Sequence, residues 1–301
     1  MRFSIVTPSY NLERWLPATI ESVLSQKGDF EIEYIIVDGG STDKSFDIAN
    51  RYAKDIAAGV FPISCNKVTV TCIVEKGTGM YGAINRGFES ATGDILAWIN
   101  ADDVYKPGAF QAIASSLRSF PEIQWIKGIT STIEEDGKET RKGACKIYRQ
   151  DWLRAGIYGQ EAYFVEQDSV FWRKELWQKA GPMPKHMRSA ADYWLWMRMA
   201  EHAPLWPLNI PISSFRKREG QISKDVKKYK GEQRQVRPKR SFAAWMARAF
   251  FAPQSRISGT FPALEPLFIR LYSLIFLRPV DTYIEIESGI PSLKSFQSYK
   301  V

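Results

Sequence analysis

The sequence predicts an α/β fold, in which a mostly parallel central sheet is covered by helices on both faces and is followed by a helical C-terminal tail. Two observations predict it. Short apolar, β-branched segments alternate four times with segments of helical spacing in the first 120 residues, and each apolar segment stops at a polar or glycine-rich cluster. Because strands that alternate with helices form parallel sheets buried on both faces, the repeat indicates this architecture.

Each element follows from its apolar spacing and from the residues that interrupt it. The first strand stops at Thr7 and Pro8, and the helix behind it carries Leu16, Ile20 and Val23 at helical spacing. The other three units repeat this plan. The predicted strands are residues 3–6, 33–37, 68–74 and 95–99, and the predicted helices are residues 12–26, 45–54, 83–91 and 107–120.

Beyond residue 121 the alternation is weaker. Residues 125–130 and 162–165 have the composition of strands, and residues 192–201 have the spacing of a helix. We expect one domain over residues 1–230 and a basic, amphipathic helical extension over residues 231–301.

The extension follows a strongly basic segment. Residues 214–240 hold eleven Lys and Arg against three acidic residues, and this excess equals the formal net charge of +8 of the whole chain. Two interpretations of the apolar stripe in the extension stay open: it packs on the core or a partner, or it lies on an anionic membrane surface beside the basic segment. The stripe comprises Leu264, Leu267, Phe268, Leu271, Tyr272 and Ile275.

Composition excludes several classes of protein. Three cysteines without a close pair and only two histidines argue against a disulfide framework and against a Cys/His zinc site. No segment reaches the ~18 uncharged apolar residues of a membrane span, and the N-terminal apolar run is too short for a signal peptide. The expected location is the cytoplasm, with peripheral contact at the inner face of the membrane as an option.

The polar clusters at the strand ends indicate one common site. They are residues 7–11, 38–43, 75–82 and 100–103. Ligands of parallel α/β sheets bind outside the carboxyl ends of the strands, so these four clusters should meet at one edge of the sheet.

The cluster at residues 100–103 places Asp102 and Asp103 directly after an apolar strand. Two adjacent carboxylates in a crevice of low dielectric constant repel each other unless a cation lies between them. Oxygen ligands of this kind favour Mg²⁺ or Mn²⁺. The alternative is that both acids only form a turn before Pro107.

The glycines of residues 77–82 match the G-x-G-x-x-G pattern between a strand and a helix, which also suggests a nicotinamide-dependent oxidoreductase. Two βα units precede this pattern, whereas in dinucleotide-binding domains it normally opens the first unit. Met80 and Tyr81 would also crowd a pyrophosphate. The position of the pattern and the bulk of these two side chains therefore disfavour the oxidoreductase.

Asp192 has two possible roles. With Ser189 it has the form of a capping box, which is purely structural. A carboxylate at a helix N-terminus also stays ionised and can accept the proton of an attacking hydroxyl, as a general base does. The spacing does not choose between these roles.

Four ordered motifs together resemble family-2 glycosyltransferases of the Rossmann-like GT-A fold. They are residues 4–11 (Ser-Ile-Val-Thr-Pro-Ser-Tyr-Asn), 36–43 (Ile-Val-Asp-Gly-Gly-Ser-Thr-Asp), 79–87 (Gly-Met-Tyr-Gly-Ala-Ile-Asn-Arg-Gly) and 93–103, which end in Asn-Ala-Asp-Asp. Weaker similarity continues through residues 168–174 and 190–198, so that it covers about residues 3–220.

The resemblance implies an inverting, metal-dependent hexosyltransferase that moves a sugar from a nucleoside diphosphate, usually UDP, to a hydroxyl of a glycan or of a lipid-linked glycan intermediate. Residues 1–120 would bind the nucleotide sugar and residues 121–230 the acceptor. Asp192 would be the catalytic base, and Asp102 and Asp103 would hold Mn²⁺ or Mg²⁺. The nucleotide-sugar residues would be Pro8, Tyr10, Asn11, Asp38, Glu75, Gly79, Met80, Tyr81, Asn85, Asn100, Ala101, Asp102 and Arg218.

The sequence departs from the family pattern in three places. Asn100 replaces an acid that many members carry, Gly77 and Gly82 stand where acids are common, and Arg218 lies where a histidine often helps at the metal. Arg218 could replace metal charge by gripping the diphosphate directly. A second alternative is therefore a binding or scaffold protein with a catalytically degenerate GT-A fold. No nucleic-acid partner is expected, and the oligomeric state is not predicted.

Overall fold

A mixed sheet forms the centre of the computed structural model, which describes residues 1–221, 224–239, 242–260, 264–276 and 282–295. The strands are β1 (Arg2–Ser9), β2 (Lys27–Asp38), β3 (Ser64–Val74), β4 (Ile95–Trp98), β5 (Val104–Tyr105), β6 (Trp125–Ile133), β7 (Glu139–Arg141), β8 (Val170–Arg173), β9 (Leu205–Arg216), β10 (Thr282–Glu287) and β11 (Ile290–Ser295). The helices are α1 (Leu16–Leu24), α2 (Ser45–Ala57), α3 (Gly79–Ser90), α4 (Ala109–Ser119), α5 (Gln150–Arg154), α6 (Lys174–Ala180), α7 (Ala191–His202), α8 (Val226–Val236), α9 (Phe242–Thr260) and α10 (Glu265–Phe276).

The strand order across the main path of the sheet is β3, β2, β1, β4, β8, β6, β9, β10, β11. The first four of these strands are parallel to one another. Only β8 runs antiparallel between β4 and β6, whereas β6 and β9 are again parallel. The order reverses direction at β1, where β2 lies on one side and β4 on the other, so a crevice opens at the carboxyl ends of β1 and β4.

The predicted alternation of the first half is confirmed, with all four strands and all four helices at their expected places. The predicted helix at residues 192–201 is α7, and the predicted strand at residues 125–130 is β6. The predicted strand at residues 162–165 is wrong: apart from an isolated bridge between Tyr158 and Ala162, this segment is a loop. Its apolar character is explained by aromatic packing, since the ring centroids of Tyr163 and Tyr148 lie 5.3 Å apart.

The sheet separates two cores because neighbouring residues of each strand face opposite sides. Phe3 and Ile5 pack on one side, and Val6 packs on the other. On the second side Trp98 of β4 stacks on Trp196 of α7, with ring centroids 5.6 Å apart and planes inclined by 9°. Both rings are buried, so this stack fixes the start of α7, one turn before Trp196, against the end of β4.

The C-terminal extension contains the expected helices, and also a hairpin that was not predicted. Strand β10 pairs in parallel with β9, and β11 pairs with β10, so the extension completes the sheet. The expected boundary at residue 230 falls inside α8. The extension is therefore packed on the domain rather than separated from it.

Most of the described side chains of the apolar stripe are exposed, although Phe268 is half-buried. Leu267, Leu271 and Ile275 are exposed, whereas the side chain of Tyr272 lies outside the described set. In the part of the chain that the structure describes, no helix combines the length and the apolar character that crossing a membrane requires.

Candidate active site

A cavity of about 1000 Å³ lies at the carboxyl ends of β1 and β4. The ends of both strands, the start of α3, the start of α7, the segment 164–168, the segment 215–221 and helix α8 line it. The expected convergence of strand ends at one edge is therefore observed. Ten predicted site residues line the cavity: Pro8, Tyr10, Gly79, Met80, Tyr81, Asn100, Ala101, Asp102, Asp192 and Arg218.

Five predicted site residues do not line this cavity, and four of them have structural contacts that explain their positions. Asp38 accepts hydrogen bonds from the backbone N–H of Gly40 and Ser41, both at 2.8 Å, and so shapes the loop behind the cavity. Asn11, at φ 52°, accepts a bond of 2.8 Å from the N–H of Thr42. Asn85 is buried and makes two bonds to the backbone of Met183, so its side chain amide is already bonded outside the cavity. The five are Asn11, Asp38, Glu75, Asn85 and Asp103.

Asp102 faces the cavity and forms an ion pair with Arg218, with 2.6 Å between Oδ2 and Nε. Its Oδ2 also accepts a bond of 3.3 Å from Gln221. The guanidinium of Arg218 lies 4.9 Å from the centre of the Trp15 ring, a cation–π contact that fixes its position. The Arg218 guanidinium is therefore already bonded to one carboxylate oxygen of Asp102, the predicted metal ligand.

Asp103 is fully buried and points away from the cavity. Its Oδ1 accepts a bond of 2.8 Å from the N–H of Arg216, and Asn100 Nδ2 donates to its Oδ2 at 3.3 Å. Burial, together with the charges of Asp102 and Asp168, raises the pKa of Asp103 well above its usual value. The structure thus gives this carboxyl a structural role between β4 and β9, and it does not support the predicted role as a metal ligand.

Asp192 lies in the first turn of α7 and lines the cavity. Tyr229 Oη donates to both carboxylate oxygens at 3.1 and 3.2 Å, and Tyr81 Oη lies 3.4 Å from Oδ1. The N–H of Tyr193 donates at 2.8 Å. Burial raises the pKa of Asp192 to about 6 despite these bonds. Such a carboxylate is ionised at neutral pH and still accepts a proton readily, which suits a general base.

The capping box that the sequence left open as one role of Ser189 and Asp192 is not formed. No side chain within α7 caps its start, and the Ser189 hydroxyl is buried without a hydrogen-bond partner among the described residues. Glu232 of α8 instead accepts bonds from the N–H groups of Arg188, Ser189 and Ala190, at 2.8 to 3.1 Å. The carboxylate of Asp192 is therefore left for the cavity.

Sequence reasoning missed several residues of this site. Tyr229 and Glu232 lie in a basic segment without a motif, and only the folded chain brings them to Asp192. Asp168 is buried at the cavity wall and accepts a bond from Ser213. It lies two residues before the short apolar segment 170–172, whereas Asp102 was found because it follows an apolar segment.

The fold and the site together define a class. A mainly parallel central sheet in which β8 runs antiparallel to β4 and β6, a cavity at the switch point of the strand order, and an acid shortly after β4 are the arrangement expected of a GT-A glycosyltransferase. A crystal structure of Staphylococcus aureus TarS residues 1–349, in complex with UDP-GlcNAc, has the same fold: the TM-score is 0.57 at 15% identity, over 92% of this chain and 76% of that one.

The chain belongs to glycosyl transferase family 2, whose pattern matches residues 4–173. It is 37% identical over 202 residues to an uncharacterised glycosyltransferase of Nostoc sp., covering 64% of this chain and 57% of that protein. It is 29% identical over 195 residues to the PGL/p-HBAD biosynthesis glycosyltransferase of Mycobacterium bovis, covering 64% of this chain and 66% of that one. The chain thus spans somewhat less than two thirds of the length of these relatives. The expected family and fold are confirmed.

Proposed function

We propose that the protein is an inverting glycosyltransferase that moves a sugar from a nucleoside diphosphate, UDP first among the candidates, to a hydroxyl of a glycan or lipid-linked acceptor. One observation carries the proposal: a carboxylate with a pKa of about 6, Asp192, lines the same cavity as the pair formed by Asp102 and Arg218. The cavity thus combines a proton acceptor with a cationic group suited to a diphosphate.

The site residues divide between donor and acceptor in this proposal. Pro8 and Tyr10, at the end of β1, line the nucleoside part, and Arg218 binds the diphosphate as it leaves. Asp192 accepts the proton of the acceptor hydroxyl while that oxygen attacks the anomeric carbon. Attack and departure in a single displacement invert the configuration at that carbon.

The family implies a divalent metal, and the residues present fit one through Asn100 and Asp102. Asn100 Oδ1 is buried without a hydrogen-bond partner among the described residues, and Asp102 offers its second oxygen. The described residues contain no group of three or more acidic, His or Cys side chains that would hold a metal, so phosphate oxygens and water would supply the remaining ligands. Mn²⁺ or Mg²⁺ bound there would neutralise charge on the leaving diphosphate.

A panel of nucleotide sugars tests the proposal without knowledge of the acceptor. We expect slow hydrolysis of one UDP-sugar, measured as release of UDP, and tighter UDP binding by calorimetry when Mn²⁺ is added. UDP binding without turnover of any donor or acceptor would favour a degenerate binding protein instead. Hydrolysis only of donors with another nucleotide would overturn the choice of UDP. The family membership leaves the nicotinamide alternative without support.

The extension supports a proposed contact with an anionic membrane surface, where a lipid-linked acceptor would be held. Phe242 and Trp245 are 76% and 62% exposed and stack on each other, next to the basic helix α8. We expect the double substitution F242S/W245S to reduce co-sedimentation with phosphatidylglycerol vesicles by several fold. Val60→Ser, at a residue 71% exposed outside the extension, is the matched control. Equal sedimentation of all three proteins, or equal binding to uncharged phosphatidylcholine, would contradict the contact.

A further inference from the structure

Helix α8 begins at Val226, well beyond the residues that match the family, and touches the start of α7 through two side chains. Tyr229 and Glu232 are three residues apart, so they lie on the same face of α8. Both contact the few residues of the chain that carry and precede Asp192. This face of α8 is therefore part of the surroundings of the candidate base.

Tyr229 contacts the carboxylate directly. Its hydroxyl lies 3.1 and 3.2 Å from the two oxygens of Asp192, within donor distance of both. Its ring packs edge-on against Phe164, with centroids 5.7 Å apart. The ring contact leaves the hydroxyl few other directions, so it restrains the orientation of the carboxylate.

Glu232 acts on the backbone that carries the carboxylate. Its oxygens accept the N–H groups of three successive residues, 188–190, directly before α7. Of these residues, Ala190 is the N-cap of α7, and no side-chain hydrogen bond from within the helix caps this start. An ionised acceptor makes such bonds about twice as strong as a neutral one. Glu232 therefore fixes the first turn of α7 from outside that helix.

We propose that α8 is a positioning element for catalysis, in which Tyr229 orients the carboxylate of Asp192 and Glu232 fixes the helix start that carries it. The inference rests on the proposed role of Asp192 as the base. Both residues act through Asp192, and neither transfers a proton to or from the substrate. Movement of α8 would therefore move the base.

The charge environment agrees with this geometry. Burial raises the pKa of Asp192, and the bonds from Tyr193 N–H, Tyr229 and Tyr81 lower it. Tyr81 faces the carboxylate from α3 and Tyr229 faces it from α8. Glu232 of α8 bonds to the backbone of residues 188–190, and the charged residues Arg188 and Lys230 line the same cavity. Loss of the Tyr229 hydroxyl removes a bond that the ionised form accepts, so the carboxylate should hold its proton more tightly.

A titration of ¹³C-labelled aspartate by NMR tests the role of Tyr229, with Asp192→Asn identifying the signal. We expect the carboxyl of Asp192 to titrate near pH 6 in the full chain and about one pH unit higher in Tyr229→Phe. Tyr52→Phe is the matched control, because Tyr52 also donates to a carboxylate, that of Glu21, outside the cavity. An unchanged titration in Tyr229→Phe, or an equal change in Tyr52→Phe, would overturn this part.

Amide hydrogen exchange tests Glu232. In Glu232→Gln we expect the N–H groups of Ser189 and Ala190 to exchange at least about tenfold faster, because the variant loses one oxygen and the charge. Exchange at the wild-type rate would contradict the role of Glu232. Neither measurement requires turnover, so each is separate from the test of function: if Asp192→Asn kept the wild-type rate of transfer, the role of Asp192 as the base would fail even where both contacts were verified.

Discussion

Replacement of Asp192 by Asn is expected to lower the rate of transfer by about 10²- to 10⁴-fold, the usual contribution of a general base. The amide has nearly the same shape but does not accept the proton of the attacking hydroxyl. Nucleotide binding should stay within about twofold of the wild-type value, because the Asp102–Arg218 pair is unchanged. Steady-state release of UDP in the presence of acceptor, and calorimetry with UDP, measure the two quantities.

The same variant has a predicted effect on stability with a defined sign. The folded-state pKa of Asp192, about 6, lies above the ordinary value of 3.8, so the folded protein holds this proton more tightly than the unfolded chain. The contribution of Asp192 to stability is complete below about pH 4 and is lost as the pH rises through about 6. We therefore expect the melting temperature of Asp192→Asn, measured relative to that of wild type, to be higher at pH 8 than at pH 4.

A variant that kept most of its activity would show that Asp192 is not the base. A melting temperature that fell further below that of wild type at pH 8 than at pH 4 would show instead that the carboxylate stabilises the start of α7. Asp151→Asn is a suitable control, since Asp151 is an acid of a first helical turn whose pKa is lowered and which lies outside the cavity. The stability of Asp151→Asn relative to wild type should change with pH in the opposite direction.

Replacement of Arg218 by Ala is expected to weaken UDP binding without metal by about 10- to 100-fold, the value of one or two charge-assisted bonds to phosphate. The same change should strengthen the binding of Mn²⁺ alone, because Arg218 Nε no longer holds Asp102 Oδ2. Calorimetry with UDP, and the electron paramagnetic resonance of free Mn²⁺, distinguish the two effects. The arginine and the metal would then compete for one carboxylate.

Three further variants make this test specific. Asp102→Ala should abolish the effect of Mn²⁺ on UDP binding, whereas Asp103→Asn should leave it, because Asp103 is buried away from the cavity and bonded to the N–H of Arg216. Arg198→Ala removes an exposed ion pair with Glu201 and should change neither measurement. If Arg218→Ala left UDP affinity unchanged, the proposed binding of the diphosphate by Arg218 would be wrong. If Asp103→Asn removed the metal effect, the metal would lie deeper than Asn100 and Asp102.

The first half of the fold was predictable because its signals are local. Each strand is a short apolar run and each helix has its own apolar spacing, so the elements up to residue 120 follow from neighbouring residues. Residues 162–165 have the same apolar character, yet they pack as a loop among aromatic rings. Apolar composition shows only that a segment is buried. The segment forms a strand only where a neighbouring strand pairs with it. Strand β8 was missed although it lies between β4 and β6, because it falls beyond residue 121, where the regular alternation that identified β1 to β4 is weaker.

The sequence alone indicated the family, the sheet edge at which the cavity lies, and the placing of Asp102 and Asp192 beside it, because strand ends and short motifs are properties of neighbouring residues. Only the tertiary structure decided what each carboxylate does. Asp102 and Asp103 are adjacent in the chain, but one faces the cavity and Arg218, whereas the other is bonded to the backbone of β9. Asp192 has no capping role because Glu232, forty residues later in the chain, accepts the backbone N–H groups directly before α7. Burial and long-range contacts set proton affinity and charge pairing, and neither is encoded in the residues next to these acids.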